Sequence, residues 1–158
     1  MEKEITIEKS CLFTGHRSLR EDFDLVGLKR AIFELIKKGV DTFYCGMAVG
    51  FDMLAGEVVI KAREKFPSIK LIACIPFVSQ EKYYDKEDKK RYASLLERAN
   101  EQVVISEHYS NYAYLKRNRY MADRSKYMIA YLKEKSGGTA MTVDYFKTKK
   151  DVEIIYIK

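Results

Sequence analysis

Two kinds of apolar segment alternate along this chain, and the alternation limits the folds open to it. Short runs rich in β-branched and aromatic residues end at turn-forming residues. Each is followed by a longer stretch whose apolar positions recur every three or four residues. Strands are expected at residues 8–13, 42–45, 69–75, 102–106, 127–132 and 152–157, with Pro76 stopping the third. Helices are expected at about 22–38, 51–65, 86–99, 111–125 and from Gly137-Gly138 to 147. The first carries Leu25, Leu28, Ile32, Leu35 and Ile36 on one stripe, and Gly39 suits its C-terminal cap. A strand followed by a helix, repeated, needs crossover connections, and these build a parallel sheet buried under helices. The expected fold is α/β: a single Rossmann-like domain over 1–158, with a mostly parallel sheet of about six strands and helices on both faces.

Composition agrees with a packed domain. The 158 residues suit one core, and 47% hydrophobic with 33% charged residues excludes a disordered or fibrous chain. No apolar run approaches the about 20 residues a membrane-spanning helix needs. Met-Glu-Lys-Glu-Ile at the N-terminus lacks the basic-then-apolar order of a signal peptide, so a cytoplasmic protein is expected. Lys and Arg outnumber Asp and Glu 29 to 23, a net charge of +6. The charges are interspersed, as in Lys86-Glu-Asp-Lys-Lys-Arg91, so the excess permits an anionic partner without specifying one. Cys11, Cys45 and Cys74 stand far apart in apolar stretches, and the two histidines are His16 and His108. That spacing builds neither a metal site nor a disulfide framework, and the cysteines read as reduced core residues.

In open parallel sheets, ligands bind beyond the carboxyl ends of the strands where the strand order reverses. Four polar segments fall at such ends. They are Thr14-Gly15-His16-Arg17, Gly46 to Gly50 with Asp52, Pro76-Phe77 with Gln80, and Ser136-Gly137-Gly138-Thr139. Gly46 and Gly50 allow close backbone approach and lead into a helix start, where free N–H groups and the helix dipole favour phosphate. Asp52 follows, able to accept from ribose hydroxyls or to act as the carboxylate in a bond cleavage. A tight turn with a favourable first-turn acid accounts for the same residues. Gly137, Gly138 and Thr139 repeat the arrangement at a second helix. Arg17 offers a planar fork for phosphate or carboxylate, and His16 could bind phosphate, move a proton or serve the turn. Asn118 falls within the apolar stripe of its helix, where it must tie down a loop or face the cleft beside Arg117. Tyr112, Tyr114 and Tyr120, interleaved with Lys116, Arg117 and Arg119, could stack on nucleic-acid bases or simply pack.

These residues carry a resemblance. Thr14-Gly15-His16-Arg17, Gly46-Met-Ala-Val-Gly50-Phe-Asp52, Pro76-Phe77-x-x-Gln80, Arg117-Asn118-x-Tyr120-Met121-x-Asp123 and Gly137-Gly138-Thr139, in that order, resemble the YpsA-like branch of the SLOG (Smf/DprA and LOG) superfamily. The resemblance spans nearly the whole chain and implies a Rossmann-like fold that binds nucleotides or their derivatives, with no defined reaction. Ser18 stands where relatives often have Pro, and Tyr83 or Tyr84 where many have Trp. The LOG phosphoribohydrolases share Pro-Gly-Gly-x-Gly-Thr-x-x-Glu. Here Ser136 replaces the Pro, the glycines are shortened, and Thr142 occupies the Glu position, which argues against cytokinin-type hydrolysis.

The expected function is therefore a bacterial nucleotide-binding sensor or regulator, with NAD, ADP-ribose or a nucleotide sugar as ligand and no required cofactor. Its partner is a small phosphate-bearing molecule, with a homo-oligomer as a compatible state. The alternatives are N-glycosidic hydrolysis through Asp52 and DprA-like binding of single-stranded nucleic acid.

Overall fold

The computed structural model describes residues 4–158. Its six strands are β1 (Ser10–Gly15), β2 (Thr42–Cys45), β3 (Lys70–Phe77), β4 (Glu101–Ser106), β5 (Tyr127–Tyr131) and β6 (Glu153–Tyr156). They form one sheet in the order β4-β3-β2-β1-β5-β6, every neighbouring pair parallel. The helices are α1 (Leu25–Lys37), α2 (Phe51–Arg63), α3 (Lys86–Arg98), α4 (Ala113–Asp123) and α5 (Gly138–Lys147). This is the α/β, Rossmann-like arrangement expected.

Strand residues alternate between two cores, as a pleat of period two requires. Cys11, Phe13, Phe43, Cys45, Leu71, Ala73 and Ile129 face α1, α2 and α3. Leu12, Tyr44, Ile72, Cys74, Met128 and Ala130 face α4 and α5. Both faces are covered, so the central strands read as continuous apolar runs. The three cysteines are buried free thiols, and burial pushes each well above its usual pKa. No described helix is long and apolar enough to cross a membrane.

Several boundaries differ from expectation by one to three residues, and three of them have a clear local cause. The first strand starts at Ser10, because Ile7–Lys9 forms a 3-10 turn whose Thr6 carbonyl accepts from Lys9 N–H and Ser10 Oγ. Helix α1 starts at Leu25, where Asp24 caps it by accepting from Gly27 N–H at 2.8 Å. Strand β3 runs through Pro76 to Phe77. The β2 pairing ends at Cys45 opposite Ala73, so Pro76 has a neighbour only in β4. A missing N–H is tolerated at such a one-sided position.

The chain builds outward from β1 to β4 and then returns to lay β5 on the other side of β1. The strand order reverses between β1 and β5. The two strands stay paired to their last residues, Gly15 opposite Tyr131, and a crevice opens beyond them between the connections that follow.

Candidate functional site

A cavity of about 340 Å³ fills this crevice. Thr14 to Arg17 enter from the end of β1, Ala48 and Asp52 from the β2–α2 connection, Tyr114, Arg117 and Asn118 from α4, and Ser136 to Thr139 from the β5–α5 connection. Three of the four expected segments therefore meet in one place.

The β2–α2 connection is tightly built. Met47 is buried with φ 62°, an uncommon conformation for a non-glycine residue, and Gly50 has φ 84°. A Cβ on Gly50 would collide with the Arg17 carbonyl, and one on Gly46 would lie 2.8 Å from both Arg117 Cζ and Asp52 Oδ2. Two glycines thus let the β1 loop, Asp52 and α4 converge. They support the cavity from behind rather than line it. The start of α2 is also occupied: Phe51 N–H donates to the His16 carbonyl at 3.1 Å and Met53 N–H to the Ala48 carbonyl at 3.1 Å. The turn accounts for much of this helix start, and phosphate has less room there than the sequence suggests.

Asp52 is only 5% exposed, and its carboxylate accepts from Ala48 N–H at 3.4 Å. Burial pushes its pKa up to about 6, against the opposing pull of Arg117, the Ala48 N–H and Arg17.

Arg117, also 5% exposed, donates from Nη1 to the Gly46 carbonyl at 2.5 Å and from Nε to Asn118 Oδ1 at 2.8 Å. Arg117 is the buried polar residue of α4, whereas Asn118 is only half-buried. Asn118 orients the guanidinium at the cavity wall. Tyr114, one turn earlier, carries Arg17 over its ring at 5.3 Å and Arg117 at 5.7 Å. The other members of the Tyr/Arg series point elsewhere. Tyr120 packs on Tyr44 and under Arg124, and Arg119 lies over Tyr145. At 100° per residue they cannot share one face.

Helix α5 presents the freer anion site. Gly137 precedes it with φ 102°, and no side chain caps it. Its first-turn N–H groups therefore look for partners outside the helix. Added Cβ atoms at Gly137 or Gly138 would meet nothing within 4 Å. Thr139 is buried in the first turn and does not cap. Thr142, in the position of the LOG glutamate, donates to the Gly138 carbonyl at 2.8 Å, and α5 contributes no carboxylate to the cavity lining.

His16 lines the cavity, but its Nε2 accepts from Lys133 N–H at 2.8 Å and its ring meets Tyr131 edge-on. It ties the β1 loop to the β5 loop. Gln80 does not reach this cavity. It lies in a neighbouring one of about 750 Å³ beyond β3 and β4, which shares Arg17 and Tyr114 with the first. Strand β3 is two places from the reversal, which a list of strand ends does not reveal. Tyr114 and Ser136 line the cavity as well. Tyr114's signal was present in its spacing of three and four residues from Arg117 and Asn118.

A family model described as the YspA SLOG family matches residues 25–158. The chain belongs to the YpsA SLOG family. Among curated relatives, it is 29% identical to a UPF0398 protein of Halalkalibacterium halodurans, over 79% of this chain and 68% of that protein. It is 25% identical to a UPF0398 protein of Bacillus pumilus, over 82% and 72%. Solved structures show the same fold in DNA processing protein A. The Streptococcus pneumoniae protein matches with a TM-score of 0.63 at 16% identity, over 93% of this chain and 49% of that one. The Helicobacter pylori protein, reported with its single-stranded DNA binding mode, gives 0.53 at 21% identity, over 93% and 64%. This YpsA-family chain thus spans about half to two thirds of those structures. The family match begins after the Thr14–Arg17 loop, so the geometry described above is what ties that loop to the site.

Proposed function

We propose that this YpsA-family protein binds a small phosphate-bearing ligand of the nucleotide class in the crevice between β1 and β5, and acts as a sensor or regulator of it. NAD, ADP-ribose and nucleotide sugars are the ligands of that class to try. The observation that carries the reading is a buried guanidinium, Arg117, lining the same cavity as the uncapped start of α5. Phosphate oxygens take the α5 N–H groups, with Arg117 and Arg17 as counter-charges. Asp52 accepts from ribose hydroxyls. A ligand at a hundredfold excess over Kd adds about 2.7 kcal/mol of stability, which raises the midpoint by roughly 5 to 10 °C in a domain of this size. A thermal-shift series with these ligands tests the reading, with Arg117→Gln expected to weaken the hit at least about tenfold. A hit that Arg117→Gln leaves unchanged refutes it.

A second reading is single-stranded nucleic-acid binding, supported by the two guanidiniums on Tyr114 and the fold shared with DNA processing protein A. It requires oligonucleotide affinity that falls with salt, with a logarithmic slope of about −0.7 per phosphate contacted. Salt-insensitive or absent binding removes it.

A further inference from the structure

The cavity beyond β3 and β4 adjoins the crevice between β1 and β5, and the two share Arg17 and Tyr114. Its walls are aromatic. Phe77 meets Tyr109 edge-on at 5.3 Å and Tyr114 at 5.6 Å. Tyr109 is 63% exposed and Tyr83 is 88% exposed, with Lys82 Nζ over the Tyr83 ring at 5.4 Å, so both side chains reach solvent at its mouth. Its floor holds a buried amide, Gln80, 6% exposed. Gln80 donates to the Tyr92 hydroxyl and accepts from the Tyr84 hydroxyl, each at 3.4 Å, which leaves one donor and one acceptor position unused. Among the nearby acids, Asp85 caps α3 and Asp88 pairs with Arg91, whereas Glu107 lines the cavity, exposed just past the end of β4.

Resting on the reading above, we infer that this second cavity takes the nucleobase of a nucleoside diphosphate whose phosphates lie at α5. Aromatic side chains at the mouth can stack on any base, and a half-used amide with a carboxylate in the same lining suits the mixed donors and acceptors of a base edge. Arg17 stands where the two cavities join, and its guanidinium meets the phosphates at that junction. The ligand then runs along the carboxyl edge of the sheet from β5 toward β3.

Calorimetric titrations with inorganic diphosphate, ADP and UDP test this, using the full chain and a Tyr83→Ala/Tyr109→Ala variant, whose exposed positions leave the fold intact. The expected result is that ADP or UDP binds at least about tenfold more tightly than inorganic diphosphate. The variant weakens that nucleotide about tenfold and leaves diphosphate unchanged. Equal affinity for diphosphate and both nucleotides overturns the base subsite while the phosphate site stands. So does a variant that binds its nucleotide as tightly as the wild type. If diphosphate and both nucleotides all fail to bind, the phosphate reading itself falls, and the base subsite with it.

Discussion

Gly138→Asp separates binding from folding more cleanly than a change at Gly15, Gly46 or Gly50. A Cβ at position 138 meets no atom within 4 Å, and the backbone there is not left-handed, so an aspartate fits without strain. It becomes the first residue of α5, where an acid favours the helix by about 0.3 to 1 kcal/mol. The ligand-free protein should therefore melt at the wild-type temperature or slightly above it. Binding should suffer severely. A carboxylate about 4 Å from a bound phosphate, at an effective dielectric near 20, costs about 4 kcal/mol, roughly a thousandfold in Kd. Thermal shift reads both quantities at once: an unchanged or raised baseline midpoint, and loss of the ligand-induced rise. Calorimetry with the same ligand gives the affinity directly. A variant with a normal midpoint and undiminished affinity would refute the placement of phosphate at α5.

Other predictions concern the rest of the site. Gly46→Ala places a methyl 2.8 Å from two buried charged groups, and should cost about 1 to 3 kcal/mol in urea unfolding. A wild-type midpoint there would mean that Arg117 and Asp52 are not held as described. Asp52 is raised from 3.8 to about 6 in the folded chain, so the native state binds more protons than the unfolded one between those values. Its contribution is therefore lost as pH rises through that window, by an amount on the order of 3 kcal/mol, and is level above it. Asp52→Asn should remove this dependence, so the variant gains on the wild type from pH 4 to 6; parallel urea-derived stability curves would exclude it. If the protein cleaves an N-glycosidic bond, Asp52→Asn should stop turnover while ligand binding persists, measured by release of the free base, and equal turnover would rule out Asp52 as the acting carboxylate.

The strands and helices were legible because both faces of the sheet are buried and each helix has one wet side, so hydrophobic period separates the two kinds of segment. Residues that act through partners distant in sequence were not. Asn118 stood out as a polar residue in an apolar stripe, yet Arg117 is the buried one, because it finds the Gly46 carbonyl seventy-one positions away. Glu57 has Lys61 one turn on in sequence, but it takes a bidentate bond from Arg91 of α3, while Lys61 pairs with Glu64. Gln80 was grouped with the phosphate loops because strand ends can be read locally, whereas the order of strands in the sheet cannot. His16 stood at the right turn for either role, and the Lys133 N–H that occupies its Nε2 comes from beyond β5.

The pairing of β1 with β5 also has a kinetic side. It joins Cys11 to Tyr127, and everything between them must be made before that contact can form. Contacts between segments so far apart form slowly, since loop closure comes before any gain from pairing. During synthesis β1 to β4 can assemble first, leaving one side of β1 as an open edge until β5 arrives. The crevice exists only after that closure. A chain truncated before β5 should therefore expose an unpaired strand edge on β1 and lack the crevice altogether.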